Sequence, residues 1–204
     1  MTIRKGEPWG LSRPVPADAR EVSSDAELAD LATSARAAGA DPPPVVLLGG
    51  DLYRTLGGTG DRRRLDDGTA MAFPLDIGVA SLDGGGERVF AAHLIARRRR
   101  WAGPFAVAMN AAWLGRFYLG PRAHPNDGLL DVTEGELPPT QRLLARSRAR
   151  TATHLPHPAL RTARSPSTEL TFERPVPVRL DGRPAGRGRR ILVRCEPDIV
   201  TCWV

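Results

Sequence analysis

The sequence predicts an α+β protein in which a small α/β piece is followed by a larger piece made mostly of strands. Up to Asp61 the apolar residues first follow helical spacing and then form a buried strand, whereas beyond it short apolar runs alternate with glycine turns. The 204 residues include 21 glycines and 19 prolines, which favours many short strands and turns over long helices. We therefore predict two parts, residues 1–61 and residues 62–204.

The helix of the first part is predicted between a serine cap and a glycine stop. Ser23 or Ser24 can cap its start, because a serine oxygen accepts one of the free backbone N–H groups of the first turn. The stretch "DAELADLATSARAAG" repeats apolar residues at helical spacing as far as Gly39, which is a natural C-cap. The prolines at 42–44 prevent the helix from continuing.

A buried strand, predicted from Val45 to Leu48, leads directly into the pair Gly49-Gly50. Open α/β sheets bind ligands at the carboxyl edge of their strands, and glycine lets backbone N–H groups approach a phosphate closely. A second glycine cluster, "GGTGD", ends at Asp61. The stretch is therefore a candidate phosphate-binding turn, with a plain strand-ending turn as the alternative.

The second part is predicted to consist of strands joined by glycine turns, with one short helix in "LPPTQRLLARSRAR". The clearest hairpin signal is "LDGGGE", and "DRRRLDDG" has the composition of a polar linker or turn. The tail is predicted to hold two strands, "RRILVRC" and "DIVTCWV". His93 lies inside an apolar strand run and is expected to be a core histidine whose hydrogen bonds are satisfied.

The formal net charge of +6 comes almost entirely from arginine, since Lys5 is the only lysine. A basic surface suits anionic partners such as nucleotides, phospholipid headgroups or nucleic acid, and a solvated surface without a partner is the alternative. The stretch "ARRRRW", residues 96–101, either lies on an anionic membrane with Trp101 at the interface or forms a solvated hairpin end. No recognition motif accompanies these arginines, so we expect no nucleic-acid partner.

The two cysteines, Cys195 and Cys202, show neither metal-ligand spacing nor a disulfide framework, and both are expected to be reduced. The segment "MTIRKGEPWG" lacks the apolar core of a signal peptide, and no apolar run approaches the length that crosses a bilayer. The expected location is therefore the cytoplasm, with at most peripheral contact at the inner membrane surface.

Three stretches together resemble the lipid kinases of the diacylglycerol kinase type. They are "VVLLGGD", "MNAAWLGRFYLGPRAHPNDGLLDV", and "THLPHP" followed by "VPVRLDGRPAG", in the order that the family has them. The resemblance implies a truncated α/β nucleotide-binding domain followed by an antiparallel β-sandwich, with the active site in the cleft between them. It also implies ATP-dependent phosphorylation of a lipid or lipid-like hydroxyl, with ATP and Mg²⁺ as cofactors.

The resemblance assigns nucleotide binding to the two glycine clusters and their surroundings. The implied nucleotide-binding residues are Gly49, Gly50, Asp51, Thr55, Gly58 and Thr59. Leu52 and Tyr53 stand where the family has glycine and threonine. Because the family's small and hydroxylated residues are replaced here, we expect nucleotide phosphates to bind weakly.

The resemblance also assigns the metal ligands and the base. Asp51 and Asp127 match the family's magnesium aspartates, and Asp181 matches the group proposed to take the proton of the attacking hydroxyl. Arg183 stands where the family has a glutamate. We expect its side chain to face the same way as that of Asp181, and either to pair with it or to bind a phosphate oxygen.

Two classes of function therefore stand at the level of the sequence. The retained aspartates favour a lipid kinase, a phosphotransferase with an alcohol as acceptor. The departures favour a non-catalytic relative that binds a lipid, a nucleotide or a protein partner. A homodimer is a further expectation.

Overall fold

A computed structural model describes residues 9–60 and 62–204. Residues 1–8 and the last residue of the second glycine cluster, Asp61, lie outside the described residues. The helices are α1 (Asp25–Ala38), α2 (Gly50–Thr55), α3 (Arg63–Asp66) and α4 (Pro139–Arg148), and a 3-10 turn spans Arg99–Trp101. The strands are β1 (Leu11–Ser12), β2 (Arg20–Val22), β3 (Val45–Leu47), β4 (Met71–Leu82), β5 (Arg88–Phe90), β6 (His93–Ala96), β7 (Phe105–Met109), β8 (Trp113–Leu114), β9 (Phe117–Tyr118), β10 (Leu130–Gly135), β11 (Leu160–Ser165), β12 (Ser167–Leu180) and β13 (Arg183–Trp203).

Helix α1 has the caps that the sequence predicts. The Ser24 hydroxyl accepts a hydrogen bond from the backbone N–H of Glu27, while the Glu27 carboxylate accepts one from the backbone N–H of Ser23 at 2.7 Å. At the other end Gly39 takes a left-handed conformation with φ +64° and donates its N–H to the last turn. These local contacts fix where α1 begins, and so they place Asp25 at its first position.

Most described strands form one sheet of eleven strands, and β8 and β9 pair separately. The main path is β1-β4-β13-β12-β6-β7-β10-β11, all antiparallel, with β5 on β4. Strands β2 and β3 join in parallel, because Val45 and Val46 pair with Cys202 and Trp203 of β13. The predicted α+β class with a β-sandwich is confirmed.

Three local predictions are wrong. The tail is one strand, β13, and not two, since a register shift between Glu196 and Val200 absorbs the interruption. The segment after Gly49 forms the helix α2 and not a bare turn, and part of the expected polar linker forms α3. A fourth local prediction is confirmed, since the short helix expected in "LPPTQRLLARSRAR" is present as α4.

The described residues form four apolar clusters, of which the two largest hold most of these elements together. One fills the β part around Phe90, Leu94 and Ile191, which are fully buried. The other lies between α1, α2 and the sheet, and Leu28 and Leu52 are fully buried there. The second core includes residues from both sides of Asp61, and the division at that residue remains a prediction.

Both cysteines are free and buried, as expected. Burial raises the pKa of the Cys195 thiol, helped by the nearby Asp76, and burial alone raises the pKa of Cys202. Both thiols are therefore held in the protonated, weakly nucleophilic form. Among the described residues no helix combines the length and the apolar character needed to cross a membrane.

Candidate functional site

Four ionisable side chains converge beside the first glycine turn: Asp25, Asp51, His93 and Asp181. Asp25 begins α1, Asp51 lies in the first turn of α2, His93 begins β6, and Asp181 lies in the turn between β12 and β13. The sequence analysis assigns roles to Asp51 and Asp181, but it does not foresee Asp25 or a functional place for His93.

Asp25 binds the start of α2. Its carboxylate accepts hydrogen bonds from the backbone N–H of Asp51 at 2.7 Å and of Leu52 at 3.0 Å. A Cβ atom on Gly50 would lie 2.5 Å from Oδ1 of Asp25, and Gly50 also has a positive φ of +100°. Burial, as the largest influence, raises the pKa of Asp25 to about 6, although these two hydrogen bonds favour its charged form. Gly50 therefore makes room for a carboxylate of the chain itself.

Asp51 is the member of the cluster most open to solvent, with 18% of its side chain exposed. One of its oxygens accepts the backbone N–H of Gly115 at 2.8 Å, and the other lies 3.0 Å from Nε2 of His93. The Asp51 side chain thus joins α2 to β6 and to the turn between β8 and β9. It is the carboxylate that an external hydroxyl or cation reaches first.

His93 is buried in the centre of the cluster. Its Nε2 atom lies 3.1 Å from the carbonyl oxygen of Trp113 as well as near Asp51, while its buried Nδ1 atom has no hydrogen-bond partner among the described residues. Burial alone would lower the pKa of His93. The hydrogen bond with Asp51 and the negative charges of Asp181, Asp51 and Asp25 outweigh burial, so the net pKa is raised. The expectation of a histidine with all its hydrogen bonds satisfied is therefore wrong.

Asp181 is held from behind by the backbone that leads into β6. Its carboxylate accepts three N–H groups, from Ala91 at 2.7 Å, Ala92 at 2.8 Å and His93 at 2.9 Å, and only 2% of its side chain is exposed. Burial, as the largest influence, raises the pKa of Asp181 against these three bonds. The carboxylate is therefore buried rather than open to solvent, and its role as a general base remains a prediction.

Arg183 does not face Asp181 in the way the strand pattern suggests. Its guanidinium forms a surface ion pair with Asp30 of α1, with Nη1 and Oδ2 separated by 2.6 Å and both side chains more than half exposed. The reason is the turn itself, because Asp181 has a positive φ of +46° and strand alternation stops there. Arg183 therefore contacts Asp30 and not Asp181, and its binding of a phosphate oxygen remains a prediction.

The remaining predicted nucleotide-binding residues have partners within the chain or lie on the surface. The Thr55 hydroxyl donates to the carbonyl of Asp51 at 2.7 Å and accepts the N–H of Ala112 at 3.0 Å. Gly58 packs on the ring of Tyr53, since a Cβ atom there would lie 2.3 Å from that ring. Thr59 is exposed in the following loop. Their nucleotide-binding role remains a prediction.

Asp127, which is also predicted to be a metal ligand, contacts Leu129 and Arg164. Its carboxylate accepts the N–H of Leu129 at 3.0 Å and pairs with Arg164. The loop around it is organised by the fully buried Asp76, which accepts the N–H of Gly128 at 2.7 Å and of Asp198 at 3.0 Å. Burial, as the largest influence, raises the pKa of Asp76.

The cluster offers ligands for a divalent cation, and Asp25 occupies two backbone N–H groups of the turn beside it. One ligand atom each of Asp25, Asp51 and His93 lie within 4.8 Å of one another. Two carboxylates and an imidazole suit a transition metal better than Mg²⁺, which prefers oxygen ligands alone. Two backbone N–H groups at this turn, those of Asp51 and Leu52, are already bound to Asp25. With Asp25 in place, these two donors are not free to bind a phosphate of ATP.

The two residues that the sequence analysis missed have only weak sequence signals. Asp25 has the sequence context of an ordinary acidic residue in the first turn of a helix, which favours that position through the helix dipole. His93 has the context of a core residue in an apolar strand. What separates them from such residues is contact with segments 26 to 88 positions away, which no local pattern reports.

Comparisons with known proteins agree with this fold. The profile of the family described as the YegS C-terminal NAD kinase beta sandwich-like domain matches residues 75–204. The resemblance to the bacterial lipid kinases that the sequence analysis identified is thereby confirmed. No curated protein is significantly similar to the chain in sequence.

Solved structures from Bacillus anthracis share the fold at low sequence identity. A diacylglycerol kinase from this organism is 14% identical with a TM-score of 0.58, and the match covers 79% of this chain and 66% of that one. A second structure, of a candidate diacylglycerol kinase, is 13% identical with a TM-score of 0.62 and covers 79% and 69% of the two chains. The chain therefore spans about two thirds of the length of these proteins, and at this identity the likeness shows the fold alone.

Proposed function

The chain belongs to the family of the YegS C-terminal NAD kinase beta sandwich-like domain, and on this premise we propose that it is a non-catalytic relative of the lipid kinases. In this proposal it binds a lipid or lipid-like molecule through its β part and does not turn over ATP. The names of the similar structures, which are those of diacylglycerol kinases, support a lipid as the class of ligand.

One observation carries this proposal: the Asp25 carboxylate occupies the backbone N–H groups at the glycine turn. Phosphoryl transfer depends on preorganised donors around the transferred phosphate. Here those donors already have an anionic partner, and a phosphate would have to displace it against like charge from Asp51. Leu52, fully buried, stands where a small residue would let the backbone approach a phosphate.

Calorimetric titration with ATP and Mg²⁺, together with a phosphoryl-transfer assay on diacylglycerol micelles, tests the proposal. We expect no saturable ATP binding and no product, while micelles containing diacylglycerol bind. A dissociation constant in the low micromolar range, about −8 kcal/mol, would contradict the proposal, and so would turnover. Failure to bind any lipid would contradict the part of the proposal that assigns lipid binding to the protein.

A lipid kinase is the second candidate. It is favoured by the spatial arrangement of three side chains, in which His93 lies between Asp51 and Asp181. The accessible carboxylate of Asp51 can take the proton of an acceptor hydroxyl, and the buried imidazole of His93 lies 3.0 Å behind it. Asp181, whose oxygen lies 3.9 Å from Nδ1 of His93, would stabilise the imidazolium form. A cation at Asp25 and Asp51 would neutralise charge that develops on the phosphate.

Variants decide this second candidate if the wild type turns over. His93→Gln and Asp51→Asn are then expected to lose about 10²-fold or more in rate, the usual contribution of a proton-transfer group. Asp30→Asn is the matched control, because the Asp30 carboxylate lies on the exposed side of α1 and forms a surface ion pair with Arg183. If all three variants retained full activity, the Asp51–His93 pair would have no catalytic role.

A further inference from the structure

Helix α4 presents an apolar strip to the outside. Leu143 is 75% exposed and Leu144 is 49% exposed, and they stand next to each other in the helix. The inward face is formed by Arg142, Ala145 and Ala149, at the spacing of one helix side, and these are half-buried or buried. The two leucines therefore project away from the protein into water. Transfer of even one leucine side chain from water to an apolar environment is favoured by roughly tenfold or more.

The same helix is strongly cationic. Residues 137–168 contain no aspartate or glutamate, and arginines stand at 142, 146, 148 and 150. Within the described part of the chain, none of these four forms a salt bridge, and Arg146, Arg148 and Arg150 are exposed. An exposed apolar strip flanked by uncompensated arginines is the composition of a helix that lies in the plane of a membrane.

The arginine turn that follows β6 lies on the same end of the sheet. Phe105 pairs with Gly135, which places the segment before β7 beside the segment that leads into α4. Trp101 and Ala145 both pack on the apolar cluster that contains Leu137. The Arg97 guanidinium covers the Trp101 ring at 4.8 Å, and the next three arginines are exposed. We call the turn at 97–101 together with α4 the basic face.

We propose that the basic face docks on the surface of an anionic phospholipid bilayer, with Leu143 and Leu144 inserted at the headgroup level. Arginines draw the face to the surface, each strengthening partitioning by about fivefold near anionic lipid. The leucines then move from water into the bilayer interface. A nucleic-acid backbone offers no such apolar environment for them. This inference does not depend on what the cluster around Asp51 binds.

The first test is sedimentation of the full chain with vesicles of pure phosphatidylcholine or of phosphatidylcholine with phosphatidylglycerol, at low and at high salt. We expect binding to the anionic vesicles only, weakened by salt. Leu143→Ser/Leu144→Ser and Arg146→Gln/Arg148→Gln are each expected to weaken binding by about tenfold or more.

Matched controls come from the other end of the sheet. Leu11 is 47% exposed, close to the value for Leu144, and Arg13 and Arg20 are exposed arginines on or beside β1 and β2. Leu11→Ser and Arg13→Gln/Arg20→Gln are expected to bind as the wild type does. Circular dichroism and thermal unfolding verify that each variant is folded.

Three results would overturn the inference. They are equal binding to neutral and anionic vesicles, no binding to either, and equal losses in the control variants. A duplex RNA of equal charge that displaces the protein from vesicles, with the leucine variant binding RNA as tightly as the wild type, would identify the face as a nucleic-acid surface instead.

Discussion

The Oδ1 atom of Asp181 lies 2.9 Å from the backbone nitrogen of His93 and 3.9 Å from Nδ1 of the ring of the same residue. One carboxylate oxygen thus fixes the backbone of His93 and also supplies the negative charge nearest to its unpartnered ring nitrogen. The bonds from Ala91 and Ala92 to the same carboxylate fix the segment that leads into β6. Asp181 therefore has a structural function apart from any proton transfer.

Asp181→Asn is expected to destabilise the fold by about 1–3 kcal/mol, because the new NH₂ group must face at least one buried backbone N–H donor. Asp83→Asn is the matched control: Asp83 also has a positive φ, and it accepts N–H groups of Arg189 and Arg190, but it is exposed. Urea unfolding followed by circular dichroism measures both variants. Equal losses would show that burial of the Asp181 carboxylate is not what matters.

The stability of the wild type, measured relative to Asp25→Asn, is expected to rise as the pH falls through the range 7 to 4. The pKa of Asp25 is raised from 3.8 in the unfolded chain to about 6 in the folded protein, mainly by burial. The folded state therefore binds this proton more tightly, and a penalty present above pH 6 is relieved as the carboxyl is protonated. A shift of this size corresponds to about 3 kcal/mol.

The comparison with the Asp25→Asn variant removes the effects of groups outside the cluster, whereas His93 and Asp181 interact with the Asp25 charge and titrate together with it. Burial lowers the pKa of His124 and of His154. Protonation of these two histidines therefore reduces the stability of the folded protein as the pH falls, which opposes the effect of Asp25. Urea unfolding of both proteins across the range gives the difference directly. Parallel curves for the two proteins would show that Asp25 does not titrate differently in the folded state.

Gly50→Ala is expected to cost about 2 kcal/mol or more, because the new Cβ atom combines a positive φ with a contact of 2.5 Å to the Asp25 carboxylate. Gly57→Ala is the control, since Gly57 has a similar φ of +84° but open space around it. The difference between the two thermal unfolding curves isolates the contact with Asp25. If Gly57→Ala were as harmful as Gly50→Ala, the close approach would not explain the glycine.

Asp76→Ala is expected to destabilise the fold by about 3 kcal/mol, since it leaves the N–H groups of Gly128 and Asp198 without their buried acceptor. Asp127→Ala removes the neighbouring, partly exposed carboxylate and is expected to cost less than half as much. Urea unfolding of both variants compares them under one condition. A larger loss in the Asp127 variant would assign the organisation of this loop to Asp127.

The elements that could be predicted are those whose causes are local. The caps of α1, formed by Ser24 and Gly39, stand within a few residues of the helix that they bound, and they appear as expected. The two tail strands merge into β13 because Pro197 falls at the irregularity between Glu196 and Val200, where pairing is already interrupted. A proline in the sequence predicts a break, but it does not say that a bulge will bridge it.

The candidate site could be predicted only in part, for the same reason. The family pattern leads to Asp51 and Asp181, and both lie in the cluster. It does not reveal that Asp25 binds the glycine turn, because the pairing of an acidic side chain with two N–H groups 26 and 27 positions away depends on the packing of α1 against α2. Arg183 follows a turn whose positive φ at Asp181 ends strand alternation, so its direction was not predictable from the strand.

Strand β13 pairs with β4 and β12 along its length and with β3 at Cys202 and Trp203. A fragment that starts at residue 62 would lack β3 and would leave that edge of β13 with free backbone N–H and C=O groups. Such edges recruit strands from other molecules, so we expect the fragment to self-associate. Because β13 joins strands from both sides of Asp61, we expect the two parts to unfold together rather than independently.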